Sequence, residues 1–116
     1  MDRDILFILP PGLEDNDRRE FCPECTELAG LLALYPFIRD ALDIRHVGIQ
    51  HPRKEIVEIL GDGRYNAPTL VLVGETDLPQ HIETKRANER VYLDSMSAIA
   101  KLFAARYGLP NRRGDS

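Results

Sequence analysis

Hydrophobic residues along the chain fall into short runs that predict strands and into stripes that predict helices. The segment 4–10, DILFILP, is a near-continuous apolar run that ends at Pro-Pro-Gly, which is typical of a strand buried on both faces of a parallel sheet. Segment 44–50 alternates apolar and polar residues as a strand does. Segment 66–74 predicts a third strand with a proline at its entrance, and segment 90–94 predicts a fourth.

The apolar residues between these runs recur at helical spacing. Leucines and a tyrosine in segment 28–35 occupy positions i, i+3, i+4 and i+7, so they predict an amphipathic helix that begins at Pro23. The proline that follows should end this helix, with a short second segment over 37–42. Glycines that stop a helix follow two further helical patterns, one over 53–61 and one over 96–107.

The polar stretches between these elements predict connections. Segment 12–20 is expected to be a loop, segment 75–89 a solvated excursion at the far end of the sheet, and segment 111–116 a disordered tail. Strands joined through a helix should be parallel, whereas the last two strands, joined without one, should be antiparallel. The sequence therefore predicts an α/β fold in the order βαβαββα, with a mixed four-stranded sheet and helices on both faces, in one domain over 1–110.

Composition narrows the function classes. The chain has 116 residues, 43% of them hydrophobic, and a net charge of −4, which predicts a globular protein without a basic surface for nucleic acid. Its first apolar run is too short for a signal peptide or a membrane span, so we expect a cytoplasmic protein that binds no membrane. A structural disulfide is rare in that reducing compartment, and the two cysteines, Cys22 and Cys25, are therefore candidates for catalysis or metal binding.

The motif CPEC at 22–25 opens the first predicted helix, with Cys22 at the N-cap and Cys25 one turn inside. The unpaired N–H groups and the dipole of a helix N-terminus stabilise a thiolate, so we expect Cys22 to attack a disulfide and Cys25 to resolve the mixed disulfide. Glu24 opposes a second negative charge in the same turn, and Arg18 and Arg19 are candidates to offset it.

Together, CPEC, the segment APTLVLV and the closing segment DSMSAIAKLFAARYGLP resemble the thioredoxin superfamily over roughly residues 4–110. The chain is most similar to glutaredoxins and to the N-terminal half of glutathione transferases, and it also resembles a bacterial thioredoxin-like family with no assigned reaction. The loops before Cys22 and before Arg90 are longer than in a minimal glutaredoxin. We do not expect these 116 residues to include the helical second domain of a glutathione transferase.

This resemblance implies a glutaredoxin-like thiol–disulfide oxidoreductase that acts on a protein disulfide or on glutathione. It implies that Pro68 follows a cis peptide bond beside the cysteines and that the backbone of Ala67 faces the substrate. It also implies that Asp94 and Ser95 bind the γ-glutamyl end of glutathione, although the two residues are equally well explained as a helix N-cap. Glutathione is then the candidate co-substrate, and no tightly bound cofactor is expected. The sequence does not indicate the oligomeric state.

Two alternatives stay open. The CPxC pattern is also half of many zinc sites, and either histidines or a second chain would have to complete it to bind zinc or an iron–sulfur cluster. The three histidines, His46, His51 and His81, lack the spacing of metal ligands. The second alternative is a thioredoxin-like binding or redox-sensing module without catalysis, which the long loops favour because such loops often contact partners.

Overall fold

A computed structural model describes residues 2–74 and 78–114 of the chain. Its strands are β1 (Asp4–Ile8), β2 (Leu13–Asp15), β3 (Arg18–Glu20), β4 (Leu42–His46), β5 (Thr69–Val71), β6 (Lys85–Ala87) and β7 (Arg90–Leu93). Its helices are α1 (Pro23–Leu34), α2 (Phe37–Ala41), α3 (Lys54–Leu60) and α4 (Met96–Tyr107). None of these helices is long and apolar enough to cross a membrane.

The main sheet of the described chain has five strands in the order β4-β1-β5-β7-β6. Strands β1 and β4 are parallel, and the other neighbouring pairs are antiparallel. The predicted mixed α/β sheet is confirmed, but the predicted count of four strands is wrong because β6 extends the edge beyond β7.

Strand β1 divides the core into two layers because its side chains alternate between the faces of the sheet. Leu6 and Ile8 belong to a cluster with residues of α1, α2 and α4, whereas Ile5 and Phe7 belong to a second cluster with residues of α3. Both faces are therefore covered by helices, as predicted, and all five residues of β1 are buried.

Two segments that were predicted to be irregular contain strands that form hairpins, one within segment 12–20 and one between segment 75–89 and the predicted strand over 90–94. Strands β2 and β3 pair around Asn16–Asp17, and β6 and β7 pair around Asn88–Glu89, with all four turn residues at positive φ. Such two-residue turns match the right-handed twist of the strands, and asparagine tolerates the left-handed backbone. The strands escaped prediction because they are charged and mostly exposed and show no apolar alternation.

The predicted solvated excursion over 75–89 is also wrong in part, since Ile82 is buried in the larger core cluster. Residues 75–77 of that segment lie outside the described residues. Of the tail 111–116, residues 111–114 are described, and the Arg112 guanidinium binds both carboxylate oxygens of Glu27 at 2.7 and 3.2 Å.

One buried carboxylate ties the end of the sheet opposite the cysteines together. Asp4, which is 6% exposed, accepts the backbone N–H of Val73 at 2.7 Å and pairs with the guanidinium of Arg106. These contacts join the start of β1, the chain just after β5 and the last turn of α4.

We predict that Arg106→Gln destabilises the protein by about 2–3 kcal/mol in urea unfolding, because a buried carboxylate loses its cation. The matched control is Arg45→Gln, which removes the cation of the exposed Asp43–Arg45 pair and should have little effect on the unfolding midpoint. Equal midpoints for the two variants would contradict this role of the Asp4–Arg106 pair.

Candidate functional site

The ends of several strands meet at one edge of the main sheet. This edge is the side at which the strands end, and not the outer strand β6. The pairing of Phe7 with Thr69 and of Leu70 with Leu93 places the end of β1, the start of β5 and the end of β7 at the same edge. Strand β4, parallel to β1, ends there too. The topology thus brings the CPEC motif, the Ala67–Pro68 segment and the start of α4 to one end of the molecule.

Cys22 is the N-cap residue of α1, as predicted. Its Sγ accepts the backbone N–H of Cys25 at 3.1 Å, and its carbonyl accepts the N–H of Thr26 at 2.9 Å. The backbone of Cys22 is extended and Pro23 opens the helix, so the thiol takes the place that a serine or aspartate oxygen usually has at an N-cap. The sulfur therefore lies among the unpaired N–H groups of the helix start, where negative charge is stabilised.

Cys25 lies one turn deeper and is 4% exposed. The backbone N–H of Leu9, just after β1, donates to Cys25 Sγ at 3.4 Å. Burial, together with the hydrogen bond to Cys22, raises the pKa of Cys25 to about 12. Both cysteines are free thiols, and Cys22 is the more exposed of the two. The two sulfur atoms are thus held in different environments, with Cys25 kept protonated at neutral pH.

Arg53, at the N-terminus of α3, is a cation that interacts electrostatically with both cysteines. Its half-buried guanidinium donates to the carbonyl of Gly48 at 2.8 Å and to that of Tyr65 at 2.7 Å. Burial lowers the pKa of Arg53, and the nearby Cys25 and Cys22 oppose this shift. In general, a cation close to a thiol favours its thiolate form.

Arg53 was not among the residues predicted from the sequence. The predicted cations, Arg18 and Arg19, lie on the exposed strand β3. There the Nε atom of Arg18 is 3.9 Å from a carboxylate oxygen of Glu20. One sequence signal was available, because an arginine directly before a helix cannot cap it as a serine or aspartate would. Arg53 makes no side-chain capping bond to α3, so its guanidinium is directed to other partners.

The Ala67–Pro68 peptide bond is cis, as the resemblance implied, and it directly precedes β5. Ala67 packs against the core cluster that contains Cys25. The loop is tied down on both sides of the proline, because Tyr65 accepts from Arg53 and Thr69 Oγ1 donates to the carbonyl of Asn66 at 2.6 Å. A second cis bond, His51–Pro52, precedes Arg53 and was not predicted.

Asp94 and Ser95 stand at the start of α4 as predicted, and both side chains have partners within the protein. Ser95 Oγ accepts the N–H of Ala98 at 3.1 Å, which makes it the N-cap, and the Asp94 carboxylate pairs with Lys85 Nζ at 2.9 Å. Lys85 belongs to β6, so the segment expected at the far end of the sheet also contributes a cation beside this edge. Asn66 Nδ2 lies 3.4 Å from the Asp94 carbonyl and links the two loops.

In the described part of the chain, no third metal ligand lies with Cys22 and Cys25. Among residues 2–74 and 78–114, no three or more His, Cys, Asp or Glu side chains gather as a metal site. None of the three histidines therefore joins the cysteines within one described chain.

A family model described as "Protein of unknown function (DUF3088)" matches residues 3–111, and the chain belongs to this family. No curated protein and no solved structure matches the chain.

We predict that iodoacetamide modifies Cys22 at least about tenfold faster than Cys25 in the reduced, folded protein at pH 7.5, because only a thiolate reacts and burial disfavours that of Cys25. Peptide mass spectrometry after timed quenching measures both rates. In Cys22→Ser, the slow reaction of Cys25 should keep rising with pH well above a pH of about 8.5, since burial, the largest cause of its raised pKa, remains in this variant. In urea the two cysteines should react alike, which serves as the control. A folded protein in which Cys25 reacts as fast as Cys22 would contradict the assigned environments.

We also predict that Arg53→Gln slows alkylation of Cys22 at pH 7 by about three- to tenfold, because the thiolate loses a nearby cation. Arg53→Lys keeps the charge and should retain most of the rate. The matched controls are Arg18→Gln and Arg19→Gln on the exposed hairpin, which should react as the wild type does. If these two variants slow the reaction and Arg53→Gln does not, the cation has been assigned wrongly.

Proposed function

We propose that this DUF3088 chain is a thiol–disulfide oxidoreductase of the glutaredoxin-like type, with Cys22 as the nucleophile and Cys25 as the resolving thiol. The observation that carries this proposal is that the two sulfur atoms differ in burial and in hydrogen bonding. Cys22 caps a helix and receives an N–H group, whereas Cys25 is buried one turn behind it and receives the N–H of Leu9.

A thioredoxin-like fold is the second part of the proposal. It is favoured by a parallel β1–β4 pair followed by antiparallel β5 and β7, by α3 on one face with α1 and α4 on the other, and by a cis proline at the entrance of β5. The hairpin β2–β3 and the added edge strand β6 are then insertions into that plan.

The proposed reaction balances through the two thiols alone. The Cys22 thiolate attacks one sulfur of a substrate disulfide, an S–S bond forms between them, and the other substrate sulfur leaves as a thiolate that takes a proton. Cys25 then loses its proton and attacks Cys22 Sγ, which releases the second substrate thiol. The substrate disulfide gains two electrons and two protons, and the protein keeps a Cys22–Cys25 disulfide.

The raised pKa of Cys25 fits the order of these steps. A thiol that stays protonated does not compete with Cys22 for the first attack, and it becomes a nucleophile when the mixed disulfide has removed the neighbouring negative charge of Cys22. The Cys22 charge is among the causes of the raised pKa, so its removal lowers the barrier to ionising Cys25.

We propose that the substrate is a protein disulfide or a glutathione mixed disulfide and that glutathione is the co-substrate, without a tightly bound cofactor. The backbone of Ala67 beside Pro68 is the proposed docking edge, and the start of α4 is the proposed site for a carboxylate. Ser95 already caps the helix and Asp94 already pairs with Lys85, so N–H groups and Lys85, more than the Asp94 carboxylate, would hold a negative ligand group. The activity proposed here fits the reducing cytoplasm.

We expect the Cys22–Cys25 pair to show a reversible two-electron midpoint between about −270 and −200 mV, the range of thioredoxins and glutaredoxins. The measurement is a titration in glutathione buffers of graded potential, with thiol trapping and intact mass. Cys25→Ser should accumulate a mixed disulfide with glutathione on Cys22, because the resolving thiol is absent. Cys22→Ser should accumulate none and is the matched control. Thiols that stay reduced across the whole range, or that retain a metal in the same mass spectrum, would overturn the proposal.

A further inference from the structure

A groove of about 410 Å³ lies beside the dithiol, on the α1 side of the main sheet. Its floor and walls are mainly apolar and come from the end of β1, the Pro10–Pro11 segment, Phe21, helix α1 and strand β4. This volume falls in the range of small-molecule sites, which are concave and largely apolar with a few polar groups that orient the ligand. Cys25 forms part of the wall, so an occupant would lie directly against the inner thiol.

The helix wall of the groove contains several small side chains. Cys25, Ala29 and Leu32 follow each other at i, i+4 and i+7 and form one stripe of α1 that faces the groove, with Thr26 beside them. Ala29 is exposed although leucines precede and follow it on this helix. A larger side chain at this position would occupy the space that Ala29 leaves open.

Phe21, on the other wall, is 63% exposed and lies directly before Cys22. A large aromatic side chain that covers no core has apolar area available for a ligand. Together with the two prolines it gives the groove a rigid apolar rim, since proline loses little freedom on binding.

The polar side chains of the groove include one guanidinium and one imidazole. Arg39 and His46 are the titratable side chains that line it besides Cys25, and no carboxylate is found among its lining residues. Within residues 2–74 and 78–114, neither side chain has an acidic partner in contact. The overall charge of the chain is −4. Because the groove contains Arg39 and His46 and no carboxylate, it differs from this acidic average and favours an anion.

From the apolar walls and these two groups we infer that the groove binds an amphiphilic monocarboxylate, with its hydrocarbon body against Cys25, Ala29 and Phe21 and its carboxylate at Arg39 and His46. A medium-chain fatty acid is the simplest ligand of this class. The inference goes beyond the proposed redox reaction, because it concerns binding and requires no oxidation or reduction of the cysteines.

Octanoate is the probe, titrated into the reduced full-length chain and followed by amide shifts of Leu9, Thr26 and Ala29. We expect saturable binding that tightens about three- to fourfold for each methylene between hexanoate and decanoate, as burial of apolar surface requires. Acetate should cause no saturable shift. Binding that is independent of chain length, or no saturation with decanoate, would overturn the inference.

Two variants test the position of the ligand. Ala29→Leu should abolish octanoate binding by filling the groove, whereas Ala33→Leu, on the same helix and outside the groove, should bind as the wild type does. Arg39→Gln should weaken octanoate about three- to fivefold, the effect of one exposed charge pair, and leave 1-octanol unchanged. Octanoate that binds Ala29→Leu normally would show that the ligand lies elsewhere and refute the assignment. Since no cysteine reacts in these titrations, their result is separate from that of the redox titration.

Discussion

Strand β1 is buried along all five residues, and this constraint organises the rest of the chain. A strand without a solvent-facing side must be covered on both faces and paired on both edges, since unpaired backbone groups in the interior are costly. Helix α3 covers one face, α1, α2 and α4 cover the other, and β4 and β5 pair with the two edges. The buried Asp4 carboxylate then fixes one end of this strand to α4 and to the chain after β5.

The candidate site lies at the other end of the same strand. The first residue after β1, Leu9, donates its N–H to Cys25 Sγ, so the central strand reaches the inner thiol directly. The outer thiol is held by the helix that follows, through the N–H of Cys25. A rigid, fully buried element and the start of a helix therefore set the position of both sulfur atoms, which is the arrangement expected of a site that needs fixed geometry.

Electrostatics at this edge are balanced by residues that lie far apart in the chain. Helix α1 provides its N-terminal dipole and Arg53 its positive charge, while burial and, to a smaller extent, Glu24 act against the thiolate of Cys25. Arg53 also holds the carbonyls of Gly48 and Tyr65, so the cation and the loop that leads to Pro68 are positioned together. The groove next to Cys25 offers apolar surface together with the side chains of Arg39 and His46.

The sequence by itself determined the elements whose local signals are strong. The apolar run of β1, the leucine stripe and Pro23 of α1, the proline that separates α1 from α2, and the glycines that end α3 and α4 all act within a few residues, and each element was predicted at its place. The N-cap position of Cys22 follows from the same short-range rules.

Only the tertiary structure decided the features that depend on partners distant in the chain. The charged strands β2, β3 and β6 show no alternation of apolar and polar residues. Strand β6 forms because its backbone pairs with the open edge of β7. Arg53 interacts with the cysteines although it lies far from them in the chain, because the loop that leads to it begins where β4 ends, beside the end of β1. The groove, likewise, is formed by segments that meet only when β1, β4 and α1 have packed. Local propensity fixes elements, whereas the surroundings of a side chain depend on contacts that no short segment of sequence contains.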